Sequence, residues 1–189
     1  MNRYRLIQDG LFSLIILGIL LFLNVPYLPI VLSGVFILIY SAVRNGLGEE
    51  LGFIRPADLS TTIGTAILMS IFVVGCSLFL FRPALEFVTG ETINLGPFAQ
   101  VEGNTKVLLV SLLASWIVGG FMEEIIFRGF FLSRIMKAVP SKAGAFLGVA
   151  MTSALFGYLH DYQGITGQLL TGVLGAILGG IYVLNQGKI

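Results

Sequence analysis

The sequence predicts an all-α protein, a polytopic bundle of about six transmembrane helices. Of its 189 residues, 56% are hydrophobic and only 11% are charged, whereas soluble domains carry roughly 25% charged residues. A soluble fold of this size cannot bury so much apolar surface, so the excess must face lipid. The 24 glycines favour the same class, because small residues let membrane helices approach closely.

Six apolar stretches account for the predicted spans. The first two are short and are broken by Pro26 and Pro29, so they form either two spans or one kinked hairpin. The first is interpreted as a retained span, since no small-residue cleavage site follows it. The predicted helical segments are 11–23, 28–43, 61–81, 107–138, 143–159 and 165–184.

Two polar stretches rich in Gly and Pro, 44–60 and 82–106, are predicted to be loops. The distribution of Lys and Arg predicts a cytoplasmic N-terminus, a cytoplasmic turn at Pro140 and an extracytoplasmic 82–106 loop. We expect two parts, with N-terminal helices and loops in 1–106 and a functional core in 107–189. The net charge of +1 gives no indication of a nucleic-acid partner. The single cysteine, Cys76, excludes an intrachain disulfide.

Charged residues inside two of the apolar stretches are the candidate functional residues. Ionisable side chains in a membrane are costly and mark function by default. Glu123, Glu124 and Arg128 lie in the 107–138 segment, and the only histidine, His160, ends the next segment. Because Glu123 precedes Pro140 by 17 residues and His160 follows it by 20, a helical hairpin brings both to a similar height, roughly 25 Å from the turn.

The spacing distinguishes the two glutamates. Glu124 and Arg128 are separated by four residues, with the acid first, which favours an ion pair on one helix face. Glu123 points about 100° away and has no such partner, so it is free to act as a general base. A nearby imidazole would orient the water that this base activates.

Less specific interpretations apply to each feature alone. A Glu pair near Arg at a helix end is often a solvated face, and Glu49 and Glu50 in the 44–60 stretch are interpreted in this way. A lone histidine is often an interfacial residue. The two clusters on adjacent helices at matching height favour a catalytic site instead. No His-Glu-x-x-His or Gly-x-Ser-x-Gly pattern is present, which excludes those two kinds of hydrolase.

Glu123-Glu124-x-x-x-Arg128 followed by Phe156-x-x-x-His160 resembles the CPBP family of membrane proteins, the CAAX proteases and bacteriocin-processing enzymes, over roughly residues 107–189. The family includes type II CAAX prenyl endopeptidases. The resemblance implies that Glu123 activates the attacking water and that His160 assists it. It also implies that Glu124 and Arg128 hold the site, with Phe127 and Phe156 packing around it.

The family's third motif, of the His-x-x-x-Asn type, is absent from the sequence. We therefore expect either a truncated chain, lacking the final helix or helices, or a degenerate one, and little protease activity from these 189 residues. No cofactor is predicted. If a divalent metal takes part, Glu123 and His160 are its candidate ligands, but a single histidine makes a complete metal site hard to assemble.

The sequence thus predicts an intramembrane endopeptidase that hydrolyses peptide bonds with a glutamate-activated water. Its expected location is a cell membrane, as a multi-pass protein of the prokaryotic cytoplasmic membrane. The expected partners are membrane lipid and a peptide or membrane-protein substrate, with or without a prenyl group. The alternative is a non-catalytic membrane scaffold or a bacteriocin self-immunity protein. A proton-coupled transporter is a third class, but its inverted repeats are not apparent.

Overall fold

The computed structural model describes residues 3–185 and residue 187. Within them the chain forms seven helices, two short 3-10 segments (Gly96–Val101 and Asp161–Gln163) and no β-strand, which confirms the all-α class. The last positions of the predicted core, 186, 188 and 189, lie outside the described residues. The helices are α1 (Arg3–Phe22), α2 (Leu28–Arg44), α3 (Leu47–Leu51), α4 (Leu59–Thr89), α5 (Thr105–Ala138), α6 (Lys142–Tyr158) and α7 (Gly164–Leu184).

Four of these helices, α1, α4, α5 and α7, are long and apolar enough to cross a membrane by length and composition. Helices α2 and α6 have 17 residues each, or roughly 25 Å at the α-helical rise. This length is slightly short of a typical hydrocarbon core of about 30 Å. The six predicted apolar segments therefore all form helices, two of them short.

Helix α4 corrects the prediction that a loop begins at residue 82. The helix continues through Arg82 and Pro83 and ends at Thr89, so only residues 90–104 connect it to α5. A π-helical segment, Ser77–Phe81, immediately precedes Arg82. Pro83 would clash with the carbonyl one turn earlier in a regular α-helix, and the wider turn removes that clash.

The 44–60 stretch is also more ordered than predicted. It contains α3, which is flanked by Gly46 and Gly52, both with positive φ. Glu49 is exposed as expected, but Glu50 is only 4% exposed, so its interpretation as a solvated residue was wrong. Its charge is compensated because Arg44 and Arg134 pair with it.

Helix α5 lies at the centre of the core. Its residues 125–134 are all buried. Among them, Phe130 packs against α1 and α2. Phe12 of α1 stacks on Tyr40 of α2 with ring centroids 4.1 Å apart, and Phe130 meets the Phe12 ring edge-on at 5.6 Å. The first two helices are therefore anchored to α5 by aromatic packing.

Helices α6 and α7 form a tight antiparallel hairpin after the Pro140 turn. A Cβ placed on Gly157 would lie 2.6 Å from the backbone carbonyl oxygen of Gln168, so only glycine permits this approach. The 90–104 connection packs against the turn between the two helices. The Asn94 amide donates a hydrogen bond of 3.0 Å to the carbonyl of Tyr162, which places that connection beside His160 and away from Pro140.

Candidate active site

Glu123 and Glu124 lie in α5 between two π-helical segments, Ser115–Met122 and Ile125–Leu132. No residue of the first segment is buried, whereas all eight of the second are. The two glutamates therefore lie where the helix passes from an exposed half into the core. Interruptions of this kind inside an α-helix are frequent at functional sites.

Glu124 forms the ion pair that its spacing predicts. Its Oε2 lies 3.3 Å from Nη1 of Arg128, and the side chains are 27% and 3% exposed respectively. The guanidinium is thus almost fully removed from solvent, while the carboxylate keeps partial access. A buried charge of this kind is tolerated only when it is paired and hydrogen-bonded.

Arg128 links α5 to both helices of the following hairpin. Its Nη2 donates a hydrogen bond of 3.4 Å to the backbone carbonyl of Gly175 in α7. Its Cζ lies 5.0 Å from the ring centroid of Phe156 in α6, a cation–π contact. A Cβ on Gly175 would meet the Phe156 ring at 3.1 Å, so the absence of a side chain there lets α7 approach.

Two aromatic contacts connect this ion pair to the histidine. The Phe127 and Phe156 rings meet edge-on with centroids 4.8 Å apart, and Phe156 meets the His160 ring at the same separation. Phe127 is 1% exposed and Phe156 is 7% exposed. The packing expected of these two phenylalanines is therefore present in the structure, with Phe156 between Arg128 and His160.

The tautomer of His160 follows from its hydrogen bond. Its Nδ1 lies 2.7 Å from the backbone carbonyl oxygen of Phe156. A carbonyl only accepts, so Nδ1 carries the proton and donates it, and the neutral ring has its lone pair on Nε2. The ring is also tilted against that of Tyr162, with centroids 5.7 Å apart.

Glu123 differs from its neighbour in having no direct partner. Among the described residues it makes no hydrogen bond or ion pair, either with His160 or with any other side chain. Its Oε2 lies over Gly119, 3.9 Å from where a Cβ would be. The charges of Arg128 and Glu124 act on it electrostatically. The carboxylate is therefore half-buried and unpaired, as its spacing predicts.

Sequence reasoning missed three groups at this site. The carbonyls of Gly175 and Phe156 fix Arg128 and His160, and backbone acceptors leave no mark in a residue pattern. Tyr162, which follows His160 by two residues, faces the imidazole. Its position, two residues after the only histidine of the sequence, could have indicated a contact with the imidazole.

No group of three or more His, Cys, Asp or Glu side chains comes together in the part of the chain that the structure describes. Glu123 and His160 would supply at most two protein ligands, whereas catalytic zinc sites commonly have three. The expectation of a site without a metal remains a prediction.

The fold and these contacts define a multi-pass membrane protein with a Glu–Arg pair, an unpaired glutamate and an imidazole within one helical bundle. Residues 105–189 match the family model described as Type II CAAX prenyl endopeptidase Rce1-like. This match supports the resemblance to the CPBP family of CAAX proteases over these residues. No curated protein and no solved structure gives a significant match.

Proposed function

We propose that the protein is an intramembrane endopeptidase in which Glu123 activates a water molecule for attack on a peptide bond. The family is one of peptidases, which supports the reaction class. The observation that carries the proposal is the contrast between two adjacent glutamates. Arg128 neutralises Glu124 at 3.3 Å, whereas Glu123 has no partner among the described residues and can accept a proton.

The proposed reaction assigns each group a step. Glu123 takes a proton from water as the water oxygen bonds to the scissile carbonyl carbon, and the carbonyl oxygen becomes an oxyanion. Nε2 of His160 accepts a hydrogen bond from the same water and orients it. The C–N bond then breaks as Glu123 returns the proton to the leaving amine, so the products are a carboxylic acid and an amine.

The remaining residues are proposed to act by position. Glu124 and Arg128 hold α5 against α6 and α7, and Phe156 supports the imidazole from beneath through the 4.8 Å ring contact. The substrate is proposed to be a peptide or membrane protein near the bilayer. Whether the substrate must carry a prenyl group is examined by comparing prenylated and unprenylated peptides.

The test compares Glu123→Gln with Glu49→Gln in membranes from cells that express the complete gene. Glu49 is an exposed glutamate outside the site, so it is a control for loss of one carboxylate. Cleavage of prenylated and unprenylated peptide libraries is followed by mass spectrometry. We expect Glu123→Gln to lower the rate about 10²- to 10⁴-fold at unchanged expression, and Glu49→Gln to have no effect.

Cleavage by Glu123→Gln within a few-fold of the parent would remove Glu123 as the base. Absence of cleavage by the unmodified protein in both libraries would favour the rival class, a non-catalytic scaffold or immunity protein.

A second test concerns proximity, since Glu123 and His160 make no direct contact. Cysteines replacing both residues, in a background lacking Cys76, are expected to be joined by a short bifunctional thiol reagent. Phe121 and His160 form the control pair, because Phe121 lies at another azimuth of α5. Better joining of the control pair than of Glu123 and His160 would contradict a shared site.

A further inference from the structure

A cavity lies at the end of the bundle opposite to His160, where α1, α2 and α3 meet the last turns of α5. Its volume is about 430 Å³, several times the space that one water molecule takes up. Its charged lining consists of four cations and two acids. They are Arg5, Arg44, Arg134, Lys137, Asp9 and Glu50.

Arg134 is the central cation of this cavity and is 7% exposed. Its Nε lies 3.3 Å from Oδ1 of Asp9, and its Nη2 contacts Oε2 of Glu50. Both contacts are ion pairs, so the buried guanidinium of Arg134 is held between the two acids of the cavity. A buried charge of this kind is tolerated because it is paired.

The two acids do not balance the four cations. Asp9 also contacts Arg44, and Glu50 lies 3.8 Å from Arg44 and 3.9 Å from Lys137. Arg5 is exposed and has no acid partner among the described residues. The cavity therefore carries two formal positive charges more than its own acids neutralise.

We propose that this cavity binds the phosphate-bearing headgroup of an anionic phospholipid. Guanidinium groups match phosphate oxygens in geometry and charge, and basic pockets between membrane helices take up anionic headgroups. A lipid is favoured over a soluble anion because Leu6 and Ile7, beside Arg5, are apolar and 43% and 54% exposed. Acyl chains attached to a bound headgroup would lie along this face of α1.

The bound headgroup would also affect the helix that carries the candidate active site. Arg134 belongs to α5, as do Glu123 and Arg128, whereas Arg5 belongs to α1. A phosphate between Arg5 and Arg134 would join these two helices through one ligand and add to the aromatic packing of Phe12 on Phe130. The proposed lipid site can be tested separately from the proposed peptidase reaction, because lipid binding is measured by protein stability and not by cleavage.

The test follows the thermal unfolding midpoint of the purified protein in an uncharged detergent, by circular dichroism. Dioctanoyl phosphatidylglycerol is titrated against dioctanoyl phosphatidylcholine and inorganic phosphate. We expect the anionic lipid alone to raise the midpoint saturably, because a ligand that binds only the folded state stabilises it. Equal stabilisation by inorganic phosphate, or none by phosphatidylglycerol, would overturn the proposal.

Arg5→Gln is the test variant and Arg55→Gln its matched control. Both arginines are exposed and neither pairs with an acid in the described structure, so both variants should fold with the parent midpoint in the absence of lipid. We expect Arg5→Gln to weaken phosphatidylglycerol binding about fivefold, the effect of one basic side chain near an anionic lipid, and Arg55→Gln to leave it unchanged. Equal weakening by both variants would indicate diffuse surface attraction and overturn the cavity as the site.

Discussion

Replacing Arg128 with methionine tests how the candidate active site is held together. The substitution keeps most of the side-chain volume and removes the guanidinium, which is 3% exposed. Three interactions are lost together. They are the ion pair with Glu124 at 3.3 Å, the contact with the Phe156 ring at 5.0 Å and the hydrogen bond to the Gly175 carbonyl at 3.4 Å.

The expected loss of unfolding free energy is about 4 kcal/mol. Leaving one member of a buried ion pair without its partner costs roughly 3–5 kcal/mol, and the 27% exposure of Glu124 favours the lower end, about 3 kcal/mol. The desolvated cation–π contact with Phe156 contributes about 1 kcal/mol more. The 3.4 Å hydrogen bond to Gly175 is long and adds little.

The measurement is equilibrium unfolding in mixed micelles with increasing sodium dodecyl sulfate, followed by circular dichroism. The matched control is Arg82→Met. Arg82 also pairs with a glutamate four residues away, Glu86, at 2.9 Å, but the two side chains are 36% and 25% exposed. An accessible pair of this kind contributes less than about 1 kcal/mol, so the two arginines should differ clearly.

A loss below about 1 kcal/mol for Arg128→Met would refute the reasoning, because buried pairs should cost several times more. The double variant Arg128→Met, Glu124→Gln provides an internal check. Removing both charges should recover part of the lost stability, since no uncompensated charge remains in the core. Additive losses would mean that the two side chains stabilise the fold independently.

Other expectations concern topology, packing and pH. In a cysteine-free background, Glu102→Cys should react with an impermeant thiol reagent in intact cells and Lys142→Cys should not; the reverse labelling would contradict the orientation predicted from Lys and Arg. Gly157→Ala should lower the unfolding free energy by about 1–3 kcal/mol, because its Cβ would meet a backbone oxygen at 2.6 Å. Gly180→Ala, with nothing within 4 Å, should be neutral or stabilising by up to about 1 kcal/mol, and equal effects of the two would refute the packing argument. Burial raises the pKa of Glu50, but a hydrogen bond and nearby cations lower it more, to below its usual value. The ionised Glu50 carboxylate should therefore stabilise the fold above about pH 4, and this stabilisation should be lost as the pH falls through the lowered pKa. The test measures the unfolding free energy of the parent and of Glu50→Gln at several pH values. The difference between them should shrink in acid, and a constant difference would contradict the argument.

The long helices could be predicted because lipid-facing segments are marked by unbroken apolar composition, which needs no tertiary information. The end of α4 was mispredicted because Pro83 and the polar residues around it have the composition of a loop. The π-helical segment before Pro83 removes the steric penalty that the prediction assumed. Such a segment has no signature in composition, so the error could not be avoided from residue types alone.

The ion pairs of the structure show the same difference between contacts that local spacing determines and contacts that depend on tertiary packing. The Glu124–Arg128 contact depends on residues one helical turn apart, and it forms as predicted. The burial of Glu50 depends on Arg44 and Arg134, which come from two other helices. A surface interpretation of Glu50 was reasonable from its Gly-rich neighbourhood, and only tertiary packing reverses it.

The two π-helical segments of α5 have a consequence for changes in chain length. A π-helical turn holds one residue more than an α-helical turn, so it can absorb a one-residue deletion by reverting to α-helix. In Ser115–Met122 such a deletion would leave the orientation of Thr105–Ala114 nearly unchanged, and any remaining shift would cost little because that part has no buried residue. In Ile125–Leu132, where every residue is buried, the same deletion would reorder the core, so we expect natural length variation in this helix to lie on the N-terminal side of Glu123.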